Sequence, residues 1–299
     1  MQILKPLFKM IWSGTEKADN KRLAGQIRPT GVHQICDIAY IDDGERGHLL
    51  DVYYPENTEG KLPVIIDVHG GGWMYGYKEL NKNYCFELAK RGFCVFSLSY
   101  RLAMDDAVLF IHQLQDLFAA YKYIGDHMDE YPADRDNVFL TGDSAGGQFV
   151  CVSSAVNLSE KLREEYSLPN NSLKFKCVGA TSPVIDLLSP NIMMNANLTA
   201  LLKRPYSSDP CYKLMKFSNI ATEALPPFYI VTSAGDFVEK QGRALHSLLD
   251  TLGVENKFLD WQGKVNGKKL GHVFSVTDPF SGPGIKVIDE MTDFFKAHM

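Results

Sequence analysis

The sequence predicts an α/β protein with one mostly parallel sheet of about eight strands and helices on both faces. Apolar, β-type runs alternate along the chain with helical patterns after roughly residue 30. Most of these runs lack the polar–apolar alternation of a half-exposed strand, which indicates strands buried on both faces. The 299 residues, 45% of them hydrophobic, suffice for one large core. No linker or repeat divides the chain, so we expect a single domain over residues 1–299.

The strands are predicted in chain order as follows. The first two runs, 35–41 and 48–54, flank the turn sequence DDGERG and indicate a β-hairpin. Runs rich in Val, Ile and Phe then predict strands at 63–69, 93–100, 137–142, 176–183 and 227–233. Residues 257–262 predict the last strand.

The helical period is clearest in residues 108–124, where apolar residues recur at three- and four-residue steps. Further helices are expected at 79–91, 145–156, 238–252 and 284–297. Two segments, 1–30 and 186–226, lack the strand–helix rhythm. We expect them to form a small helical cap over the sheet.

Composition and charge exclude several classes of partner. The 31 Lys and Arg residues against 36 Asp and Glu give a net charge of −5, so no basic surface favours nucleic acid or an anionic membrane. No apolar run reaches the roughly 20 residues of a membrane span. The six cysteines lack metal-binding spacing and are expected to be buried, reduced thiols. These features favour a cytoplasmic protein acting on a small molecule, and a homodimer is compatible with them.

A candidate nucleophile lies between a predicted strand and a predicted helix. The sequence TGDSAGG at 141–147 contains the pattern G-x-S-x-G, with Ser144 at its centre. Small flanking residues permit the sharp, strained turn that exposes a serine hydroxyl at the end of a strand. The alternative is a glycine-rich turn in which Ser144 only caps the helix.

A second glycine-rich segment, HGGGW at 69–73, follows a predicted buried strand. Glycines leave backbone amides unobstructed, which suits the stabilisation of a developing oxyanion. The amide of Ala145, the residue after the candidate nucleophile, would join them. We expect His69 to hold this loop in place. No Walker lysine follows, which argues against a phosphate site.

A serine nucleophile needs a base, which in turn is oriented by an acid. His272 is the candidate base because it alone among eight histidines lies in a loop after the last predicted strand. Asp236 follows the strand 227–233 and completes the chain order Ser, Asp, His. Glu239 is the alternative acid, and Asp236 could then serve as a helix N-cap. This chemistry requires no metal or organic cofactor.

The chain carries a set of short motifs: HGGGW (69–73), SYRLA (99–103), LQDLFAAYKYI (114–124), GDSAGG (142–147), GDF (235–237) and GH (271–272). From about residue 35 to the end, the chain therefore resembles the hormone-sensitive-lipase-like branch of the α/β-hydrolases, the microbial carboxylesterase and acetyl-esterase group. The resemblance implies an α/β-hydrolase fold and a catalytic triad. It also implies an oxyanion hole and a supporting loop, with these residues: Ser144, Asp236 and His272 in the triad, Gly71, Gly72 and Ala145 in the hole, and His69 and Gly70 in support.

Bulky side chains next to these motifs predict an apolar substrate pocket: Trp73, Tyr75, Phe237 and Phe274. We expect short acyl esters, acetyl to butyryl and including acetylated sugars, as substrates. Arylformamidase-like amide hydrolysis and cinnamoyl or feruloyl ester hydrolysis are alternatives. A non-catalytic receptor is a further alternative, against which the presence of His272 argues.

Two polar features have no place in this chemistry. Asp67 lies in a strand that should be buried, where an unpaired carboxylate is costly, so we expect a polar partner or an exposed edge. Three lysines precede the candidate base: Lys264, Lys268 and Lys269. We expect them to form a solvated loop, and attraction of an anionic or sugar-linked substrate is the alternative.

Overall fold

Eight strands form the central sheet in a computed structural model of the protein, which describes residues 5–105, 107–189 and 192–299. The strands are β1 (Val32–Ala39), β2 (Leu49–Pro55), β3 (Leu62–Val68), β4 (Cys94–Leu98), β5 (Ala133–Asp143), β6 (Phe175–Thr181), β7 (Phe228–Ser233) and β8 (Asn256–Trp261). Across the sheet they follow the order β1-β2-β4-β3-β5-β6-β7-β8. The β1–β2 and β2–β4 pairs are antiparallel, and all later neighbours are parallel. The predicted fold class and the predicted hairpin are confirmed.

The helices of the described residues alternate with these strands. They are α1 (Lys5–Gly25), α2 (Lys82–Lys90), α3 (Phe110–His127), α4 (Ala145–Asn157), α5 (Glu160–Glu165), α6 (Ile192–Leu201), α7 (Glu239–Leu252), α8 (Phe274–Thr277) and α9 (Gly282–Lys296). The five individually predicted helices correspond to α2, α3, α4, α7 and α9. Four helices were not predicted individually, because their apolar spacing is weaker or they are short: α1, α5, α6 and α8.

Helices cover both faces of the sheet, and each face packs into a separate hydrophobic cluster. On β3, Val64 and Ile66 point to one face, where they join the apolar stripe of α3. Ile65 points to the opposite face and joins Phe86 of α2 and Met291 of α9. Because both faces are covered, the strands can be apolar at successive positions, as the sequence predicted.

The parallel strands bring the predicted site residues to one edge of the sheet. β3 leads into the glycine-rich loop 69–73, β5 into Ser144, and β7 into the turn that holds Asp236. After β8, a short two-stranded hairpin of β9 (Lys264–Val265) and β10 (Lys268–Lys269) leads to His272. Carboxyl ends of parallel strands are the usual place for ligand and catalytic groups in open α/β sheets.

Helices α1 and α6 belong to the two segments predicted to form a cap. Residues 1–4 and 190–191 of those segments lie outside the described residues. In the described part of the chain, no helix combines the length and the apolar character that crossing a bilayer requires. Five of the cysteines are buried as expected, but Cys36 is exposed, because it lies at an irregularity of the edge strand β1.

Candidate active site

Ser144 lies in a sharp turn between β5 and α4. Its backbone has φ 54° and ψ −114°, a conformation that is strained for a residue with a side chain. A Cβ at Gly146 would run into the carbonyl oxygen of Val68 on β3, and one at Gly142 would lie 2.5 Å from the carbonyl oxygen of Gly146. Both glycines of the motif are therefore required by the close approach of α4 to the sheet.

The structure brings the predicted base and the predicted acid to this serine. Nε2 of His272 lies 2.9 Å from Oγ of Ser144, and Nδ1 of His272 lies 2.7 Å from Oδ1 of Asp236. A proton on Nδ1 donates to the carboxylate and leaves Nε2 free to accept the serine proton. The three residues form one continuous chain of hydrogen bonds across three loops.

The carboxyl group of Asp236 is buried and held from several sides. Its Oδ1 accepts from the backbone N–H of Val238 at 3.0 Å, and its Oδ2 accepts from Oγ1 of Thr232 at 3.1 Å. Burial raises the pKa of Asp236, but the hydrogen bond and charge of His272 and the amide of Val238 lower it by more, so the pKa lies below its usual range. The group is therefore ionised at neutral pH and can steady a protonated imidazole.

The loops that carry Asp236 and His272 are bonded to each other. The amide of Gly235 donates to the carbonyl oxygen of Leu270 at 3.0 Å. Oγ of Ser233 donates to the carbonyl oxygens of Leu270 and Gly271, at 2.9 and 3.1 Å. This bonding fixes the distance between the carboxylate and the imidazole through the backbone, independently of the side-chain contact.

The glycine loop presents its backbone to the serine. Gly71 has φ +112°, and a Cβ there would collide with the carbonyl oxygen of Tyr75, so the loop requires glycine at this position. Within the described chain, no protein acceptor is seen for the amides of Gly71, Gly72 and Ala145. These three N–H groups are available to a ligand.

His69 and Gly70 begin the loop. Nδ1 of His69 donates to the carbonyl oxygen of Gly70 at 2.6 Å, and the imidazole stacks on the ring of Tyr100 with centroids 4.4 Å apart. Burial lowers the pKa of His69 to about 4, so the ring is neutral at pH 7. Its position matches a supporting role and not contact with a reacting group.

A cavity of about 470 Å³ opens above Ser144. Helix α1 forms one of its walls, where the indole of Trp12 stacks on Tyr75 with ring centroids 5.2 Å apart. The sequence predicts a cap over residues 1–30 but no cavity residue within it. The side chains of α1 that line the cavity recur at three- and four-residue steps, and this helical spacing could have identified the face: Phe8, Ile11, Trp12, Thr15, Asp19 and Arg22.

Polar contacts fasten α1 to the body of the protein beside the cavity. The guanidinium of Arg22 donates to the carbonyl oxygens of Leu80 and Thr277, both at 3.3 Å. Asp19 pairs with Arg22 at 3.1 Å and accepts from the hydroxyl of Tyr75 at 3.0 Å. These contacts fix α1 in place along the cavity that Asp19 and Arg22 help to line.

Three of the four predicted pocket residues line the cavity: Trp73, Tyr75 and Phe237. Phe237 is 65% exposed, and its ring centroid lies 4.2 Å from that of His272, so it stands at the mouth. Phe274 does not line the cavity. Its ring is buried against Trp261, away from the cavity. The turn at the start of α8 directs Val273 to the cavity and the next residue away from it.

The remaining candidates lie outside the hydrogen-bond chain. The carboxylate of Glu239, the alternative acid, accepts from Arg243 at 2.7 Å and from Gln262 at 3.1 Å, and neither contact involves the base. The three lysines before His272 are exposed on the β9–β10 hairpin, as expected of a solvated segment: Lys264, Lys268 and Lys269.

Comparison with known proteins relates the chain to esterases. The family model BD-FAE matches residues 50–249. The probable isoprenylcysteine alpha-carbonyl methylesterase ICMEL1 of Arabidopsis thaliana is 23% identical over 257 residues, which cover 81% of this chain and 51% of that protein. The chain thus spans about half the length of that relative. Carboxylesterase NlhH of Mycobacterium tuberculosis is 24% identical over 231 residues, covering 72% of this chain and 69% of that protein.

Solved structures agree with this relationship. Esterase B from Lactobacillus Rhamnosis (HN001) is 28% identical, with a TM-score of 0.91 over 99% of this chain and 95% of that chain. The same esterase inhibited by a C4-C4 SN3 tributyrin phosphonate has a TM-score of 0.92 at 28% identity, over 99% of this chain and 96% of that chain. These similarities confirm the predicted α/β-hydrolase fold.

Proposed function

Because the chain belongs to the BD-FAE family of hormone-sensitive-lipase-like α/β-hydrolases, we propose that it is a serine carboxylesterase for short-chain esters. One observation carries the proposal. A strained, partly exposed serine in the cavity lies 2.9 Å from an imidazole nitrogen that is held by a buried carboxylate, and Gly71 and Gly72, whose amides have no acceptor among the described residues, line the same cavity. That arrangement serves acyl transfer to a hydroxyl nucleophile.

The proposed reaction proceeds in two acyl transfers. Oγ of Ser144 attacks the ester carbonyl carbon while Nε2 of His272 accepts the hydroxyl proton, and the carbonyl electron pair moves to the oxygen. The tetrahedral intermediate collapses and expels the alcohol, which takes the proton from Nε2. Water then attacks the acyl-enzyme by the same route and releases the acid and the free serine. Asp236 accepts from Nδ1 throughout and stabilises the imidazolium.

The amides of Gly71, Gly72 and Ala145 are the proposed oxyanion hole. Gly71→Ala is expected to lower kcat about 10²- to 10³-fold with little change in KM, because the added Cβ forces the loop away from the carbonyl of Tyr75 and misplaces a donor needed only in the transition state. Steady-state kinetics with p-nitrophenyl butyrate measure this. Gly282→Ala is the control, since a Cβ at Gly282 meets nothing within 4 Å. Unchanged kcat in Gly71→Ala would remove this loop from the mechanism.

The cavity supports the expected preference for acetyl to butyryl esters. Aromatic side chains wall the space next to Ser144, and Arg22 of α1 also lines it. The related esterase B is inhibited by a C4-C4 tributyrin phosphonate, which agrees with this size. In a series of p-nitrophenyl esters, kcat/KM is expected to be highest from acetate to butyrate and to fall steeply beyond. A preference for palmitate would contradict the proposal.

The same series tests α1 as part of a cap. Trp12→Ala removes an aromatic wall, so we expect kcat/KM for decanoate relative to butyrate to rise about tenfold, on the scale of the free energy of burying one to two methylene groups. Met10→Ala is the matched control, because Met10 lies on the same helix and is 68% exposed. Equal profiles for the two variants would show that α1 does not limit the acyl chain.

A second candidate, amide hydrolysis, is favoured by one motif. The segment HGGGW also fits the His-Gly-Gly-x-Trp loop noted for arylformamidases. A comparison of N-formylkynurenine with phenyl acetate separates the two, and ethyl ferulate in the same panel addresses cinnamoyl esters. Higher kcat/KM for phenyl acetate than for the other two is the result expected of a short-chain esterase.

A further inference from the structure

Asp67 is a buried carboxyl group that the proposed chemistry does not use. It lies on β3, two residues before the glycine loop, and is fully buried. The side chains of Ile65 and Asp67 share one face of the sheet, against α2. Oδ1 of Asp67 has no partner among the described residues. A group that is costly to bury and half satisfied is expected to have a role beyond packing.

The partners of Asp67 connect it to the glycine loop. Nδ2 of Asn81 donates to Oδ2 of Asp67 at 3.1 Å and to Oδ1 of Asp143 at 2.9 Å. The same Oδ1 of Asp143 accepts from the backbone N–H of Gly70 at 3.0 Å. A Cβ on Gly70 would collide with the Asp143 carboxylate, so the two groups are in direct contact. The chain of contacts therefore runs from β3 through Asn81, the residue before α2, and then through β5 to the loop beside the serine.

The two carboxyl groups affect each other's ionisation. Burial, followed by the charge of Asp143, raises the pKa of Asp67 to about 8, and burial also raises the pKa of Asp143. Cys85 and Tyr84 face Asp67 from α2, and Ser97 faces it from β4. None of these three is a cation. The positive charges that act on this pair, His272 and Arg22, lie on the side of Asp143.

We propose that Asp67 and Asn81 are positioning residues for the oxyanion loop, with neutral Asp67 orienting the Asn81 amide that holds Asp143 against Gly70. When Asp67 ionises, a second negative charge appears in the same buried pocket. The added repulsion displaces Asp143 and loosens its bond to the loop. Turnover is then expected to fall on the alkaline side, with little effect on substrate binding. This inference rests on the proposed esterase function of Ser144.

The pH dependence of kcat tests the inference, measured by pH-stat with ethyl butyrate from pH 6 to 10. In the natural protein, kcat is expected to fall at least threefold along a single ionisation near pH 8. Asp67→Asn is uncharged and of the same shape, so it should keep kcat at pH 7 within about threefold and lose the alkaline fall. Circular dichroism at each pH shows whether the fold persists. Cys85→Ala is the matched control, because it removes the contact of the α2 thiol with Oδ2 of Asp67 and leaves Asn81 and Asp143 in place, so the alkaline fall should remain.

A mutant cycle at pH 7 gives a second, independent measurement. Asn81→Ala and Asp67→Leu are each expected to lower kcat about 10- to 100-fold with less than a threefold change in KM. The double variant should be no slower than the slower single variant, because both break the same chain of contacts. Recovery of kcat in Asp67→Asn over Asp67→Leu distinguishes positioning from simple packing.

The outcomes are separable. Ester hydrolysis by the natural protein, absent in Ser144→Ala, tests the proposed function by itself. If that activity is present, an unchanged alkaline fall in Asp67→Asn, or additive effects in the mutant cycle, overturns the role of Asp67 and Asn81. If no ester is hydrolysed, the proposed function fails, and the inference that rests on it fails for that separate reason.

Discussion

Replacing Ser144 by alanine is expected to lower kcat for p-nitrophenyl butyrate about 10⁶-fold, the scale on which loss of the nucleophile acts in serine hydrolases. The hydroxyl lies 2.9 Å from Nε2 of His272, and the described structure offers the imidazole no other hydroxyl. Ser154→Ala is the matched control. Ser154 lies on α4, the helix that follows Ser144, and it is buried, with its hydroxyl donating to the carbonyl oxygen of Cys151 one turn earlier.

Covalent labelling gives the same prediction in a form that does not depend on the choice of ester. A fluorophosphonate should label the natural protein at Ser144, and the Ser144→Ala variant should remain unlabelled. His272→Ala is expected to lower the labelling rate by orders of magnitude, since the hydroxyl loses its base. An unlabelled natural protein would revive the receptor alternative. Labelling elsewhere would contradict the proposed nucleophile.

Asp236→Asn is expected to lower kcat/KM about 10⁴-fold while leaving the fold intact. The amide is of the same size, but its NH₂ group can donate to Nδ1 of His272. The imidazole then carries its proton on Nε2, where it cannot accept the proton of Ser144. Hydrolysis of p-nitrophenyl butyrate and the rate of fluorophosphonate labelling should fall together, because both require the base.

The alternative acid supplies the control for this prediction. Glu239 begins α7 three residues after Asp236, and its carboxylate pairs with Arg243 at 2.7 Å. Glu239→Gln is therefore expected to retain the activity of the natural protein within about twofold, on the scale of an exposed ion pair. The reverse result, a large loss in Glu239→Gln and activity in Asp236→Asn, would reassign the acid.

Much of the architecture could be read from local patterns. Apolar runs placed all eight strands and the period of α3 placed its buried face, because burial on a sheet imposes a spacing that neighbouring residues already show. The glycines around Ser144 signalled a close approach of backbones, which the contact between Gly146 and Val68 realises. The irregular segments were harder, since α1 gains its position from contacts with distant residues.

Phe274, which lies outside the cavity, shows the same limit of prediction from local sequence. Phe274 was predicted to line the pocket because it follows the base by two residues. The short helix α8 begins there and turns the ring toward Trp261. A shift of one residue along a helix rotates a side chain by about 100°, so proximity in sequence does not assign a wall of a cavity.

Asp67 illustrates the step from sequence to tertiary structure most directly. Its position in an apolar strand was enough to require a polar partner, because the cost of an unpaired buried carboxyl follows from the residue and its strand alone. Which partner it has, and that the partner also holds Asp143 and through it the glycine loop, depends on three elements meeting in space. The nucleophile, acid and base could likewise be nominated from local patterns and chain order. Their hydrogen-bonded geometry, the wall supplied by α1 and the placement of Asp236 rather than Glu239 beside the imidazole were decided by packing, because each depends on distances between residues that are far apart in the chain.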